Sequence, residues 1–85
     1  MTAPATDGVP DYIGQSFAAV FGAAPEAITR QTVAADVTGW DSMGNINLLL
    51  EIESIAKVRF KAAEVLRLRN VGELVDLVER KRRPA

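Results

Sequence analysis

Residues 41–56 read DSMGNINLLLEIESIA, and this stretch decides the fold. Asp41 and Ser42 are both favourable N-cap residues, so a helix is expected to begin here. The apolar residues that follow form two stripes. The wider stripe, expected to face a core, is Leu48, Leu49, Ile52, Ile55 and Ala56; the narrower one is Met43, Ile46, Asn47 and Leu50. One core contact needs only one stripe, so the second predicts an exposed apolar surface for a partner.

Two more helices are predicted on either side of this one. After Pro10, apolar residues recur at helical spacing up to Gly22, which can act as a C-terminal cap: they are Ile13, Phe17, Val20 and Phe21. A last helix follows Asn70, a candidate N-cap, and its apolar residues are Val71, Leu74, Val75 and Val78. Residues 62–66 can add a short helical turn between the second and last helices.

The segment of residues 23–40 has no sustained periodicity and is predicted to be a long loop. Loops of this length inside a small domain are usually functional or held by anchor side chains. The expected anchors are Ile28, Val33, Val37 and Trp40. No alternating pattern indicates a strand, so the prediction is an all-α, three-to-four-helix bundle with a long loop between helices one and two.

Length and composition limit the organisation and the chemistry. Eighty-five residues suit one domain, predicted at residues 10–82, with a flexible arm at 1–9 and a tail at 83–85. The absence of cysteine and histidine excludes disulfides, thiol nucleophiles and imidazole catalysis. We therefore expect no catalytic residues, no metal site and no enzyme activity.

Charge is distributed unevenly along the chain. Residues 1–56 carry seven acids and one base, a net charge of −6, whereas residues 57–85 carry nine bases and four acids, a net charge of +5. The acidic first half would repel phosphates, so nucleic acid is not an expected partner. No apolar run is long enough to span a membrane and no signal peptide is evident, so a cytoplasmic monomer without membrane contact is predicted.

Ser42 is the residue on which a functional hypothesis can be built. A serine needs a base to act as a nucleophile, and here only lysine or a carboxylate is available. Modification by another enzyme is the better hypothesis, because a phosphate attached at a helix start would meet free backbone N–H groups. From local sequence alone, a plain helix cap is the favoured interpretation of Ser42, because serine and aspartate are common N-cap residues.

The stretch Gly39-Trp40-Asp41-Ser42-Met43, with the apolar and acidic residues after it, resembles the Asp-Ser-Leu attachment motif of acyl carrier proteins. The resemblance covers residues 10–78. It implies a carrier, free-standing and non-catalytic, that holds acyl groups as thioesters on 4′-phosphopantetheine, taken from coenzyme A and attached to Ser42.

The same resemblance implies roles for the neighbouring residues. Asp41 would help to bind the phosphopantetheinyl transferase. A recognition helix would contact the other partners, an acyltransferase or ligase and the synthase enzymes of the pathway, through Met43, Ile46, Asn47, Leu50 and Glu53. The cargo could fold back between the helices.

Departures from the family pattern bear on which biosynthetic pathway the carrier would serve. Gly44 and Asn47 stand where many fatty-acid carriers have acids, and residues 57–69 are rich in bases. These features favour specialised, polyketide-like assembly over housekeeping fatty-acid synthesis. A peptidyl or aminoacyl carrier and an unmodified helical adaptor remain as alternatives.

Overall fold

The computed structural model of the chain describes residues 8–82, and in that range it contains helices and no strands. The α-helices are α1 (Asp11–Phe21), α2 (Ser42–Ala56), α3 (Ala62–Leu66) and α4 (Val71–Arg82). The all-α prediction is confirmed. No helix among residues 8–82 is long and apolar enough to cross a membrane. The predicted tail at 83–85 lies outside the described residues, as do the first seven residues of the predicted arm.

Packing begins before α1. Val9, which was predicted to lie in the flexible arm, is only 1% exposed and belongs to the core. The end of α1 is as predicted: Gly22 adopts φ 70° and donates its N–H to the Ala18 carbonyl. Glycine suits this left-handed position because it has no Cβ to clash.

The long loop contains two short 3₁₀ turns, Pro25–Ala27 and Ala34–Asp36. Of the predicted anchors, Ile28 and Val37 are buried, but Val33 is exposed, so that assignment was wrong. Val33 precedes the turn Ala34–Asp36, and its N–H donates to the Asp36 carboxylate at 3.0 Å.

Backbone hydrogen bonds hold this loop against the start of α4. The N–H groups of Val71 and Gly72 donate to the carbonyls of Thr32 and Arg30, at 2.9 Å and 2.8 Å. A Cβ on Gly72 would lie 3.0 Å from the Arg30 carbonyl oxygen, so an alanine here would push the loop away by a few tenths of an ångström. The loop therefore supplies acceptors to N–H groups that a helix start leaves unpaired.

The core lies between α1, α2, α4 and the loop. Leu48, Leu49, Ile52 and Ala56 are buried as predicted. Ile55 is 42% exposed, which contradicts its assignment to the core stripe. It lies at the edge of the buried face of α2, one residue before the helix ends, so its neighbours cover it only in part.

The basic end of α4 has partners that sequence did not predict. Lys81 forms an ion pair with Glu64 of α3 at 2.8 Å. The Arg82 guanidinium lies 4.9 Å from the centre of the Tyr12 ring, and the Tyr12 hydroxyl donates to Glu79 at 2.6 Å. These contacts fasten α3 and the start of α1 to α4.

Candidate functional site

Ser42 is the first residue of α2, and its side chain is exposed. The cap is supplied by Asp41, whose Oδ1 accepts a hydrogen bond from the Gly44 N–H at 2.8 Å. Helix geometry leaves the N–H groups of Ser42 and Met43 without intrahelical acceptors. The Ser42 hydroxyl is thus available for modification at the positive end of a helix dipole.

An aromatic cluster fixes the chain immediately before Ser42. The Trp40 ring packs edge-on against Phe17, with centroids 5.0 Å apart, and lies 6.4 Å from Phe21. The indole N–H of Trp40 donates to Asn45 Oδ1 at 2.8 Å. Trp40 therefore joins the end of α1 to the first turn of α2, in agreement with its interpretation as a packing anchor.

Gly44 is buried at this junction and does not belong to the exposed face of α2. A Cβ here would collide with the Gly39 carbonyl oxygen and lie 2.8 Å from Phe21 Cε1. An acid at position 44 could not be accommodated without moving backbone. The glycine is thus required by packing, and it is not evidence about the acidity of the partner surface.

A groove of about 290 Å³ opens beside Ser42, between the start of α2, α3 and the start of α4. Its larger apolar lining residues are Trp40, Val65, Leu68 and Leu74. Its polar lining residues are Asp41, Ser42, Asn45, Arg69 and Asn70. Asn45, Arg69 and Asn70 were not predicted as site residues, because no local sequence pattern shows that residues from different helices line one groove.

The narrower stripe of α2 is exposed, as its spacing predicted. Met43, Ile46 and Leu50 are 69%, 55% and 58% exposed, and Asn47 is exposed beside them. Leu66 of α3 is exposed as well. Several large apolar side chains facing solvent on one helix are typical of a protein-binding surface. Contact with partners remains a prediction for each of them.

Glu53 has a structural contact that the sequence did not indicate. Its Oε2 accepts a hydrogen bond from the Phe60 N–H at 2.8 Å, and the side chain is half-buried. The carboxylate thus fastens the connector after α2 to the helix itself. Any role of Glu53 in recognition, which stays a prediction, must be separated from this contact.

The bases that follow α2 face solvent. All five of the bases between residues 57 and 69 are exposed: Lys57, Arg59, Lys61, Arg67 and Arg69. They give the segment after α2 a positive potential.

Comparison with solved structures identifies the family. A solution NMR structure of a holo acyl carrier protein from Geobacter metallireducens superposes with a TM-score of 0.76. The two sequences are 38% identical, and the match covers 84% of this chain and 82% of the other. The chain belongs to the acyl carrier protein family. No protein-family model and no curated protein matches it.

Membership of the acyl carrier proteins confirms the fold and the broad class of function. Acyl carrier proteins are carriers and not enzymes, so this chain transports groups on which other proteins act. The attachment site and the partner surface remain residue-level predictions.

Proposed function

We propose that this acyl carrier protein holds acyl groups as thioesters on a 4′-phosphopantetheine arm attached to Ser42. The single observation that carries the proposal is the combination of an exposed Ser42 at the start of α2 with a cap supplied by Asp41. In its holo form the protein carries this prosthetic group, which supplies the thiol that a chain without cysteine lacks.

The residues around Ser42 suit such an arm. On transfer, a bond forms between Ser42 Oγ and phosphorus, the pyrophosphate bond of coenzyme A breaks, and adenosine 3′,5′-bisphosphate leaves. The hydroxyl proton goes to a base of the transferase, since the described part of this chain places no base on Ser42. The N–H groups of Ser42 and Met43 can then donate to the phosphodiester. The aromatic contacts of Trp40 with Phe17 and Phe21 restrain the backbone next to Ser42 while the arm moves.

Tethering explains what the protein contributes to a reaction that it does not catalyse. An acyl group on a short arm is presented to each partner at high effective concentration. The apolar stripe formed by Met43, Ile46 and Leu50 supplies a contact small enough to be released after transfer. The partners that we propose are a phosphopantetheinyl transferase and the loading and synthase enzymes of one pathway.

Specialised, polyketide-like assembly is the pathway that we favour. The exposed bases between residues 57 and 69 would repel the basic surfaces that bind strongly acidic fatty-acid carriers, and they suit a dedicated partner with acidic groups. The test is malonyl loading by a fatty-acid malonyltransferase and by a polyketide acyltransferase, with a housekeeping carrier as control. Preference for the fatty-acid enzyme would contradict this assignment.

Intact mass spectrometry tests the attachment itself. The apo protein is incubated with coenzyme A and a broad-specificity phosphopantetheinyl transferase beside the Ser42→Ala variant. We expect one phosphopantetheine on the wild type and none on the variant, with Ser54→Ala, an exposed serine in the same helix, modified like the wild type.

An unmodified wild type, with the transferase active on a control carrier, would contradict the proposal and favour an unmodified adaptor. Modification followed by loading of aminoacyl but not acyl groups would instead identify an aminoacyl carrier.

A further inference from the structure

The connector between α2 and α3 carries three bases, Lys57, Arg59 and Lys61, and no acid. All three side chains are exposed, whereas Val58 between the first two is buried and Phe60 between the last two is half-buried. Such alternation is typical of an extended segment packed on one face, in which alternate side chains point the same way about 6–7 Å apart. The three bases therefore form a row on the outer side of the connector, the basic row.

Two contacts hold the backbone under the basic row in place. Val58 belongs to the hydrophobic core, and the Phe60 N–H donates to Glu53 Oε2 at 2.8 Å. Each contact fixes a residue that lies between two of the bases. A surface that is ordered in advance loses less conformational entropy on binding than a mobile loop does. The basic row is thus built as a preorganised binding surface.

The backbone at Lys57 gives a separate indication that this side chain has a function. Lys57 adopts φ 60° and ψ 45°, and among residues 8–82 it is the one residue other than glycine with a positive φ. Glycine is the residue that suits this left-handed position at a helix end, because a side chain is strained there. A strained lysine, exposed and without an ion pair in the described part of the chain, favours a role for its charge.

The acids nearest to the basic row are already engaged within the chain. Glu53 accepts the hydrogen bond from Phe60, and Glu64 accepts one from the Lys61 N–H at 2.8 Å while it pairs with Lys81. No base of the row forms an ion pair among residues 8–82. The row therefore presents positive charge to its surroundings, and a complementary partner must be acidic.

The composition of the connector selects one class of acidic partner. Binding to an anionic membrane depends on inserted apolar groups as well as on charge, but Val58 and Phe60 pack on the core. A nucleic acid would be repelled by the acidic first half of the chain. A protein helix fits better, because its side chains one turn apart are separated by about 6 Å, close to the spacing of the row.

We propose that the basic row binds an acidic α-helix of a loading or synthase enzyme, with carboxylates spaced one helical turn apart. Ser42 and Lys57 lie at opposite ends of α2, about 22 Å apart along its axis, so the contact orients the carrier from the end remote from Ser42. Exposed charges speed encounter more than they tighten a complex, which suits a carrier that must leave each enzyme. Glu53 acts through Phe60 as a positioning residue. The inference deepens the proposed function and rests on it for the identity of the partner.

Titration of the apo protein with a synthetic peptide tests the basic row. The probe is an alanine-rich helical peptide with glutamate at every fourth position, and the control peptide has glutamine at the same positions. Binding is followed by NMR of the ¹⁵N-labelled protein. We expect the acidic peptide to shift the signals of residues 57–61 most, the shifts to decrease with added salt, and the control peptide to cause none.

Removal of charge from the row should weaken this binding selectively. The double variant Lys57→Gln/Arg59→Gln should bind the acidic peptide about fivefold more weakly, because two exposed ion pairs are lost. The matched control Arg67→Gln/Arg80→Gln removes two exposed bases outside the row and should bind like the wild type. Far-ultraviolet circular dichroism checks that each variant remains folded.

Two further substitutions separate recognition from folding. Lys57→Gly should unfold at a higher urea concentration than the wild type and yet bind the peptide more weakly, since glycine relieves the strain and lacks the charge. Glu53→Gln keeps an oxygen that can accept from the Phe60 N–H and should bind at least as tightly as the wild type. Glu53→Ala has no acceptor there and should bind more weakly.

Three results would overturn the inference. The first is the absence of shifts at residues 57–61, and the second is equal weakening by the two double variants, since binding would then depend on net charge alone. The third is tighter binding to phosphatidylglycerol vesicles or to a single-stranded oligonucleotide than to the peptide. Ser42→Ala cannot carry the arm but should bind the peptide like the wild type, so failure of the proposed attachment and failure of this inference are separate results.

Discussion

Asp41 has one observed role and one expected role, and replacing it with alanine would remove both at once. Its carboxylate caps α2 through Gly44, and the family resemblance also makes it a recognition group for the transferase. Asparagine caps helices about as well as aspartate but is uncharged, so the two roles can be separated.

We expect Asp41→Ala to lower the free energy of unfolding by about 1 kcal/mol, and Asp41→Asn to change it by much less. Both variants should slow phosphopantetheine transfer, because both lose the charge. Urea denaturation and timed mass spectrometry measure the two effects. Normal transfer to Asp41→Asn would confine Asp41 to the structural role.

Among single residues, the sequence placed the start of α2 correctly at Asp41 and Ser42 but did not reveal the contact between Glu53 and Phe60. Cap signals depend on neighbours within three residues and can be read locally. The bond from Glu53 to Phe60 depends on how the chain turns after α2, which no local pattern specifies.

The first turn of α2 meets the end of the long loop so closely that one position must be glycine. In an open helix, Gly to Ala stabilises by about 1 kcal/mol. At Gly44 the new methyl group would meet the Gly39 carbonyl and the Phe21 ring.

We therefore expect Gly44→Ala to destabilise the apo protein by about 1–3 kcal/mol, the usual cost of overpacking. Ser54→Ala, at an exposed position of the same helix, is the control and should change stability little. Denaturant midpoints give both values. If Gly44→Ala were as stable as the wild type or more stable, the loop would be able to move away from the new methyl group, and the close approach of Gly44 to Gly39 would be unimportant for stability.

At the scale of elements, the helices were predictable and their mutual contacts were not. The bounds of α1 and α2 follow from periodicity and from caps at Gly22 and Asp41. The docking of the loop on α4 uses backbone groups of Arg30 and Thr32, which every residue type possesses. The identity of the side chains in the loop therefore does not indicate that the loop docks on α4.

Across the whole molecule, Tyr12 joins the first helix, α1, to the last helix, α4. Its hydroxyl donates to Glu79, and Arg82 lies over its ring. Partial burial, and then the bond to Glu79, raise the pKa of Tyr12 above its ordinary value of about 10. The folded protein thus keeps this proton to a higher pH than the unfolded chain does.

The sign of the pH dependence follows from that difference. A raised pKa in the folded state contributes stability that is fully present below about pH 10 and is lost as pH rises through the folded value. We expect the free energy of unfolding of Tyr12→Phe to fall less steeply above about pH 10 than that of the wild type.

The measurement is urea denaturation across this range. Tyr12 is the single tyrosine of the chain, so tyrosinate absorbance reports its pKa directly. An ordinary pKa in the folded protein, or equal alkaline slopes for the two proteins, would contradict the prediction.

The sequence by itself determined the helices, their caps, the all-α class and Ser42 as the candidate attachment point. The helices and their caps follow from interactions between residues a few positions apart, which a linear pattern records, whereas Ser42 as an attachment point follows from the family resemblance. Only the tertiary structure decided that Ile55 and Val33 face solvent, that Gly44 is buried, and that Asn45, Arg69 and Asn70 meet in one groove. The physical reason is that burial depends on neighbours distant in sequence, which are set only when the helices pack.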